Sequence, residues 1–324
     1  MPSERRVLLI GQGITTLTAL QSLLDRFDVV GLVRSSEPRD SAIRLATSSG
    51  VAVFADKSLA GVAHAINQTD PDAVVVSSYD RILPAELIAA RPFVNVHYAP
   101  LPRYRGRATV NWAIINGEPS CAISIHSLVP GLDAGGILFQ QLVPIGPSDT
   151  VTELYERLNA LQRDVLAGAV ARRLQGDDGE PQDEGRASYA CTRLPEDGEI
   201  NWSAPTETAD RLIRALTDPF PGAFTWLGLR RMVVRRAEPL REPRYEGRVP
   251  GRVVRVDRST GVVDVLTGDG ALRLHEVAFG DGEPHRAADV ITSVRQTLGL
   301  STARLVAALE YRQAQLAGEV GERR

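Results

Sequence analysis

The chain has 324 residues, a net charge of −3, 43% hydrophobic residues and 24% charged residues. This length is more than one average core fills, so it predicts two domains, or one domain with a substantial appendage. No apolar run is long enough to cross a bilayer and no secretory signal opens the chain, so we expect a cytoplasmic protein without a membrane partner.

Charge and cysteine content argue against a general nucleic-acid-binding protein and against a protein held together by disulfides or zinc. The slightly negative balance is not that of a protein whose whole surface binds nucleic acid. Nine arginines between residues 226 and 255 are a local exception. We interpret them as a solvated face of short strands, with a phosphate-bearing partner as the alternative. The two cysteines, Cys121 and Cys191, cannot form a disulfide framework or a zinc site by themselves, so we expect buried thiols and no metal.

Strand and helix patterns alternate through the first half of the chain. "RRVLLIGQG" predicts a buried strand and a turn, "ITTLTALQSLLDRF" an amphipathic helix and "DVVGLV" a second strand. The same rhythm continues through "AVVVSS" and "FVNVHY". "CAISIHSL" and "GILFQQLVPI" add two strands joined by the loop "VPGLDAG", and a long helix follows over 150–175. The pattern predicts an α/β fold with a Rossmann-like, mostly parallel sheet covered by helices on both faces.

The second half of the chain has a different pattern, with short strands in place of alternating strands and helices. Residues 176–187 are acidic and contain glycine, which predicts a linker or surface loop. Several short strands with glycine turns then predict a small antiparallel β-barrel. From about residue 287 the pattern is helical, with an apolar stripe that we expect to pack on a domain or on a partner subunit, as in a homodimer. These changes divide the chain into 1–187, 188–284 and a helical tail over 285–324.

A first candidate site is the glycine turn in "LLIGQGITT", which invites a dinucleotide interpretation. Thr16 stands where a third glycine would be expected, and the second strand ends in "GLVRSS" without an acid to hold a ribose. Arg34 offers a partner for a 2′-phosphate, so a reductase stays an alternative. We favour an ordinary tight turn.

A stronger candidate combines Asn95, His97 and Asp133. Asn95 and His97 are two residues apart on a strand, so they share a face near its carboxyl end, where open parallel sheets bind ligands. Asp133 lies in the glycine-flanked loop "PGLDAGG". An amide that donates to an oxyanion, an imidazole that moves a proton and a carboxylate that raises the imidazole pKa suit acyl transfer to an amine. Without an obvious nucleophile, the set favours direct attack by a bound amine.

Three neighbouring residues stay open on the residue pattern alone. We interpret His126 in "CAISIHSL" as a structural strand histidine, although its alternation is compatible with the same cleft. Arg105 and Arg107 in "RYRGR" either bind a phosphate or carboxylate or anchor the loop.

These motifs together resemble the formyltransferase family that uses N10-formyltetrahydrofolate. The resemblance rests on "NVHYAPLPRYRGRATVNWAIINGE" and "GLDAGGIL", and it continues through "LPEDGEINW", "IRALTDPFPGAF" and "PGRVVRVD". It implies a formyltransferase catalytic domain over 1–187, an oligonucleotide-binding (OB)-like domain over 188–284, and N10-formyltetrahydrofolate as co-substrate without a metal. Tyr98, Ala99 and Pro100 depart from the family's usual Gly-Ser-Leu and are expected to narrow or stiffen the folate-side loop.

The resemblance also implies residue roles. Asn95 would stabilise a tetrahedral intermediate, His97 would transfer the proton, and Asp133 would raise the pKa of His97. The folate would be held by Arg81, Ile82, Leu83, Leu101, Pro102, Val129, Pro130, Gly131 and Leu132. The acceptor would be bound by Tyr104, Arg105 and Arg107.

The acceptor implied most directly is an amino sugar carried on a nucleotide. "YRGRATVNW" and "DPFPGAF" are similar to the enzymes that formylate UDP-4-amino-4-deoxyarabinose and other nucleotide sugars. Methionyl-tRNA, with the arginines of 226–255 as a phosphate track, is the alternative partner. A free amine or peptide precursor of specialised metabolism and a folate-binding sensor without turnover are two further alternatives.

Overall fold

The computed structural model describes residues 3–35, 40–280 and 282–321. The chain forms two compact units. The first comprises the residues up to Ala113, with Glu118–Asp149 and Glu153–Thr192. The second comprises Ile114–Gly117, Thr150–Thr152 and the residues from Arg193 onward.

The elements up to residue 192 alternate strands and helices. In chain order they are β1 (Ser3–Gly11), α1 (Thr16–Leu24), β2 (Phe27–Val33), α2 (Ser41–Ser48), β3 (Ala52–Phe54), α3 (Leu59–Thr69), β4 (Ala73–Ser77), α4 (Ala85–Ala89), β5 (Phe93–His97), β6 (Arg105–Gly106), α5 (Thr109–Ile115), β7 (Ser120–Ser127), β8 (Ile137–Pro144), α6 (Val151–Leu174) and β9 (Tyr189–Ala190). A short 3-10 helix covers Glu184–Arg186.

Seven of these strands form one sheet in the order β3-β2-β1-β4-β5-β7-β8. The pairs from β3 to β5 are parallel, and β7 and β8 add antiparallel pairs at one side. The predicted mostly parallel α/β sheet is therefore confirmed. The strand order reverses between β1 and β4, and ligands of such sheets bind beyond the carboxyl ends of the strands near a reversal.

The central strands owe their position to continuous apolar sequence. Every residue of β4 is buried, and Val7, Leu8, Leu9 and Ile10 of β1 have no exposed surface. A strand covered on both faces needs apolar side chains on both, which explains why these segments do not alternate. The polar residues at the ends of β4 and β5 interrupt this rule.

The second unit is built on an antiparallel sheet. Its elements are a 3-10 helix (Pro195–Gly198), α7 (Thr206–Ala215), β10 (Ala223–Leu227), β11 (Arg230–Leu240), β12 (Val253–Asp257), β13 (Val262–Leu266), β14 (Ala271–Ala278), β15 (His285–Arg286), α8 (Ala287–Val290) and α9 (Thr302–Gly321). The strands follow the order β10-β11-β14-β13-β12, and β15 pairs with β14. An antiparallel sheet unit is confirmed here, while closure into an OB-like barrel stays a prediction.

Two local expectations are corrected. The sequence around residue 287 predicts a continuous helical tail, but only α8 and α9 are helical. Between them Thr297 and Leu298 form bridges with Arg252 and Leu227, because their backbone groups find partners at the sheet. Cys121 is buried as expected, whereas Cys191 is exposed.

No helix in the described part of the chain is long and apolar enough to cross a membrane.

Candidate active site

Asn95 and His97 lie on β5, flanked by β4 and β7. In the antiparallel pair of β5 with β7, Asn95 lies opposite His126 and His97 opposite Ser124. Directly opposed residues share a face of the sheet, as do residues two apart on one strand. The register therefore brings a third polar side chain, His126, to the face that carries Asn95 and His97.

Asp133 reaches this face from the loop between β7 and β8. It is 9% exposed and adopts a left-handed φ of 49°. Three other non-glycine residues with positive φ lie around the same site, namely Ser78, Tyr104 and Ala108. A non-glycine residue in this left-handed conformation costs about 1–3 kcal/mol of conformational free energy, and such residues cluster at functional sites.

The side chain of Asn95 is held by two neighbours. Its Nδ2 lies 3.0 Å from Nε2 of His126 and donates to Oδ1 of Asp133 at 3.3 Å. His126 Nδ1 lies 2.8 Å from the carbonyl oxygen of Ser127. A carbonyl only accepts, so Nδ1 of His126 donates to it, and Nε2 is left to accept from the Asn95 amide. This fixes the Asn95 amide with its nitrogen toward His126.

The imidazole of His97 lies between a carbonyl and a carboxylate. Nε2 lies 2.8 Å from the carbonyl oxygen of Tyr104, to which it donates. Nδ1 lies 3.7 Å from Oδ2 of Asp133. The same carboxylate oxygen accepts the backbone N–H of Gly106 at 2.9 Å. In the neutral ring of His97, Nδ1 therefore carries the free lone pair. A proton that binds to Nδ1 lies beside the negative charge of Asp133.

Burial and charge act in opposite directions on these groups. Burial lowers the pKa of His97 below its ordinary value, against the Asp133 carboxylate and the Tyr104 carbonyl, which raise it. Burial raises the pKa of Asp133, but His97, His126 and the Gly106 N–H outweigh it and hold that pKa well below its ordinary value. At neutral pH the site therefore contains a neutral imidazole beside an ionised carboxylate.

Asn95, His97, Gly106 and Asp133 line a pocket of about 890 Å³. Its apolar rim includes Ile82, which is 83% exposed, and the partly exposed Val129 and Leu132. Exposed apolar side chains at a concave site suit a flat ring system. Eleven residues predicted for the site line this pocket: Asn95, His97, Asp133, Arg81, Ile82, Leu83, Arg107, Val129, Pro130, Gly131 and Leu132.

Four predicted ligand-binding residues do not line the pocket. Leu101 is 3% exposed, and its carbonyl accepts a hydrogen bond from Gln140. The Pro102 carbonyl accepts the N–H of Ser188. Both residues hold the loop after β5 in place.

Tyr104 and Arg105 are the other two, and both are bound to protein groups. The Tyr104 hydroxyl donates to Glu118 at 2.7 Å. Arg105 is 2% exposed and forms a bidentate pair with Glu184. Their assignment to substrate binding stays a prediction, and the bonds of Arg105 to Glu184 and Gln182 favour the alternative that this residue anchors the loop.

Arg107 is placed quite differently from Arg105. It is exposed on the pocket and makes no hydrogen bond or ion pair with any residue that the structure describes. Lys57, also on the pocket, pairs with Asp80 at 3.1 Å. Arg107 is therefore a cation at this pocket whose donors remain available.

The glycine turn after β1 is occupied by the protein's own side chain. Arg34 is bonded to Asp40 and, through NH1, to the carbonyls of Gly11 and Gly13 and the hydroxyl of Thr16. Its side chain is 11% exposed. The Nε and NH1 groups of Arg34 are bonded within the protein's own turn, so the dinucleotide alternative loses support from the residue on which it rested.

The sequence reasoning set aside one residue of this site and missed two others. His126, interpreted as a structural strand histidine, is fully buried and lies outside the pocket lining, and its part in the site is to hold the Asn95 amide. The Gly106 N–H and the side chain of Gln182, which donates to the carbonyl of Asp133 at 2.7 Å, carried no comparable signal. Both lie in irregular segments, where periodicity does not assign a face.

Comparison with known structures identifies similar folds. HypX from Aquifex aeolicus, in complex with tetrahydrofolic acid, is 19% identical with a TM-score of 0.64, over 90% of this chain and 48% of that chain. A sugar N-formyltransferase from Shewanella sp FDAARGOS_354 is 24% identical with a TM-score of 0.54, over 68% of this chain and 92% of that one. WlaRD, a sugar 3N-formyl transferase in the presence of dTDP and 5-N-formyl-THF, is 16% identical with a TM-score of 0.61, over 87% and 99%.

At these identities the likeness establishes the fold alone, and the chain spans about half the length of the HypX structures. Two family models match the sequence itself. Residues 27–170 match the formyl transferase model, and residues 194–295 match the formyl transferase C-terminal domain model. The two matches fall in chain order and take in most of the sequence, so the chain belongs to the formyl transferase family.

Proposed function

We propose that this protein transfers a formyl group from N10-formyltetrahydrofolate to a primary amine, most directly that of an amino sugar on a nucleotide. The observation that carries this proposal is the convergence of Asn95, His97 and Asp133 in one pocket. The Asp133 carboxylate lies 3.3 Å from Nδ2 of Asn95 and 3.7 Å from Nδ1 of His97. An amide donor, a neutral imidazole and a carboxylate are the groups that acyl transfer to an amine requires.

The pocket fits the proposed donor in shape and charge. Its apolar rim of Ile82, Val129 and Leu132 suits the flat rings of a folate, and the exposed Arg81 suits a carboxylate. The donor supplies the formyl group. Everything else in the reaction falls to the side chains around it.

Asn95 is the group that meets the formyl oxygen. One of its amide hydrogens is held by His126, and the other makes only a long bond, 3.3 Å, to Asp133. This second hydrogen is the one that an incoming oxygen would take over. As the amine adds, the oxygen becomes negative and strengthens the bond, which is how an oxyanion donor accelerates acyl transfer.

His97 takes the proton that the amine must lose. The Tyr104 carbonyl holds the hydrogen of Nε2, so Nδ1 is the basic atom. When Nδ1 accepts the proton, it forms an ion pair with Asp133, whose oxygen already lies 3.7 Å away. As the tetrahedral intermediate collapses, the bond between the formyl carbon and N10 breaks, His97 returns the proton to N10, and tetrahydrofolate leaves. Low solvent exposure strengthens that attraction relative to water.

The acceptor class follows from Arg107. An exposed guanidinium without a protein partner, at the edge of the same pocket, suits the diphosphate of a nucleotide sugar. Relatives of similar fold include sugar N-formyltransferases, and WlaRD was studied in the presence of dTDP. An amine that carries neither a phosphate nor a carboxylate would leave Arg107 without a partner.

Methionyl-tRNA receives less support because most of the arginines over 226–255 bond within the second unit. Arg235, Arg236 and Arg255 pair with acids, and Arg248 and Arg252 donate to Thr267 and Thr297. Arg230 and Arg231 stack on the rings of Phe279 and Phe224 at 3.9 Å. Guanidinium groups held in this way form a poor phosphate track.

The test is an activity screen. Nucleotide-linked amino sugars, the same sugars without the nucleotide, and methionyl-tRNA are each mixed with N10-formyltetrahydrofolate and read by mass for the gain of one formyl group. We expect a product only with a nucleotide-linked sugar, and none with the His97→Ala variant. Tetrahydrofolate release with no formylated acceptor, or a formylated tRNA alone, would refute the acceptor assignment. Folate binding without turnover of any amine would indicate a sensor.

A further inference from the structure

Residues 178–191, here called the clasp, are bonded to the loops that build the active site. Its residues up to 187 belong to the segment 176–187 that the sequence predicts as a linker or surface loop, and the side chains of the clasp are mostly exposed. Its backbone is nevertheless paired at both ends. Glu180 forms a two-bond bridge with Ile137, and Tyr189 and Ala190 pair in parallel with Arg105 and Gly106.

The backbone of the clasp lies so close to the loop between β7 and β8 that position 136 has no room for a side chain. A Cβ on Gly136 would lie 2.4 Å from the carbonyl oxygen of Asp178. Ser127 Oγ donates to the same carbonyl at 2.9 Å, and Trp112 Nε1 donates to the carbonyl of Cys191. The clasp therefore packs along the whole edge formed by the loops that follow β5 and β7.

Gln182 is the side chain at the centre of the clasp, and its amide is fully bonded. Nε2 donates to the carbonyl oxygens of Asp133 and Gly135, both at 2.7 Å. Oε1 accepts from the guanidinium of Arg105, at 2.9 Å from NH2 and 3.3 Å from Nε. An amide has two hydrogens and two lone pairs, so every bonding position is used.

Arg105 gives this connection its rigidity. Its buried guanidinium is shared between Gln182 and the bidentate Glu184, which keeps the charge compensated. A buried charge that loses its partners is strongly destabilising, so this arrangement has few alternatives. The backbone N–H of Arg105 also donates to Ser188 in the clasp.

The two segments that Gln182 joins are those that hold His97 and Asp133. Next to Arg105, the Tyr104 carbonyl accepts from His97, and the Gly106 N–H donates to Asp133. On the other side, Gln182 binds the backbone of Asp133 itself. Gln182 is thus a side-chain link between the backbone that orients the imidazole and the backbone that carries the carboxylate.

We propose that Gln182 is a positioning residue that sets the distance between Asp133 and His97, and that the clasp is a structural part of the active site. This inference rests on the proposed function, because it concerns the same site. Gln182 does not touch the reacting atoms. Its effect passes through Asp133.

The test compares Gln182→Ala, Gln182→Glu and the control Glu180→Ala. Glu180 lies in the same clasp, and its exposed side chain makes no hydrogen bond or ion pair with the described residues. Gln182→Glu keeps an acceptor for Arg105 but presents oxygen to the carbonyls of Asp133 and Gly135. Both Gln182 variants should lower kcat by about 10- to 100-fold, because small misplacements of reacting groups have effects of this size. The KM for the folate should change less than about threefold, since Gln182 lies outside the pocket lining.

The pH profile separates positioning from a general loss of structure. Because Asp133 raises the pKa of His97, a displaced carboxylate lets that pKa fall, and the acid limb of kcat moves to lower pH. Glu180→Ala should keep the wild-type limb and kcat. A Gln182→Glu variant with wild-type kcat and pH profile would overturn the proposal.

A second measurement does not depend on any acceptor. The chain has five histidines, and the His97 ring resonance is assigned by its loss in a His97→Gln variant and titrated by NMR. We expect the pKa of His97 to fall in Gln182→Ala, which adds no charge, and to stay at the wild-type value in Glu180→Ala. Equal titration in these two variants would refute positioning even if no amine is ever formylated, whereas failure of the proposed function appears as wild-type protein without product. Unfolding of both Gln182 variants beside a folded Glu180→Ala would also overturn the proposal, since Gln182 would then serve the fold.

Discussion

At the scale of single residues, the site is a set of polar groups whose protonation states follow from their surroundings. The Ser127 carbonyl fixes the hydrogen of His126, and His126 then fixes the Asn95 amide. The Tyr104 carbonyl fixes the hydrogen of His97 and leaves Nδ1 toward Asp133. Each residue thus presents one defined atom to a bound substrate.

Asn95→Ala should lower kcat by about 10²–10³, the usual effect of losing an oxyanion donor. The folate KM should change little, because the amide is used mainly as charge develops on the formyl oxygen. Steady-state formylation with the best acceptor measures this. Asn67→Ala, at an exposed helix position, is the matched control and should keep wild-type turnover. Comparable rates for the two variants would remove Asn95 from its assigned role.

Asp133→Asn should shift the acid limb of kcat downward in pH as well as slow the reaction. His97 must be neutral to accept a proton, and burial lowers its pKa, so the wild-type limb should lie below the ordinary value of about 6.5. Asp133 opposes that lowering. Replacing its charge by an amide lets the pKa of His97 fall further, so the neutral form persists to lower pH. A limb that moves upward in the Asn variant would contradict this assignment.

At the scale of elements, the register between β5 and β7 decides which side chains meet. Asn95 lies opposite His126 because β7 returns antiparallel beside β5. In the pocket wall, Tyr98 follows β5, and its hydroxyl lies 2.8 Å from side-chain oxygens of Asn159 and Gln162 on α6. Tyr98 therefore turns into the protein, and its departure from the family pattern fixes the strand end to a helix.

His126→Phe should lower kcat by about tenfold, because it removes the acceptor that orients the half-buried amide of Asn95. His126→Gln keeps an acceptor near the position of Nε2 and should retain more activity. Turnover of both variants is compared with wild type at saturating substrates. Equal activity of the two variants would indicate that the acceptor is unimportant.

Gly106→Ala should destabilise the protein by roughly 1–3 kcal/mol and lower its activity. Gly106 has a φ of 109°, and a Cβ would lie 2.7 Å from the carbonyl oxygen of Ala190. The strain falls on the β6–β9 pair and on the N–H that binds Asp133. Thermal unfolding measures the effect. Gly168→Ala, on α6 with open space around it, is the control and should be neutral or stabilising.

At the scale of the whole molecule, charge is distributed so that phosphate recognition is local. The chain carries 37 basic and 40 acidic residues, and many arginines of the second unit are held by acids, carbonyls and rings of that unit. The exposed Arg107 is therefore better suited to one ligand phosphate group than the arginine-rich strands are to a nucleic acid.

Binding of a nucleotide-linked amino sugar should therefore change by less than about tenfold between 50 and 200 mM salt, because few counterions are released. Calorimetric titration at both concentrations measures it, with methionyl-tRNA as the comparison. A tRNA track would show a loss of about 10³ or more over the same range. Tight tRNA binding with that slope would contradict the charge assignment.

The sequence by itself determined the local features of this protein. These are the alternation of strands and helices, the apolar central strands and the two-residue spacing of Asn95 and His97. Periodicity reports which residues share a face of one element. The sequence also indicated Asp133 as a third partner, because a carboxylate in the glycine-flanked loop completes the chemical set begun by Asn95 and His97.

Only the tertiary structure decided between chemically identical residues and between distant segments. Arg105 and Arg107 stand two positions apart in one motif, yet one is buried against Glu184 and the other is exposed on the pocket. His126 entered the site through a strand register, and Gln182 through a contact across 49 positions of sequence. The physical reason is that a side chain's role depends on what surrounds it after the chain has closed its long loops, and no local pattern contains those contacts.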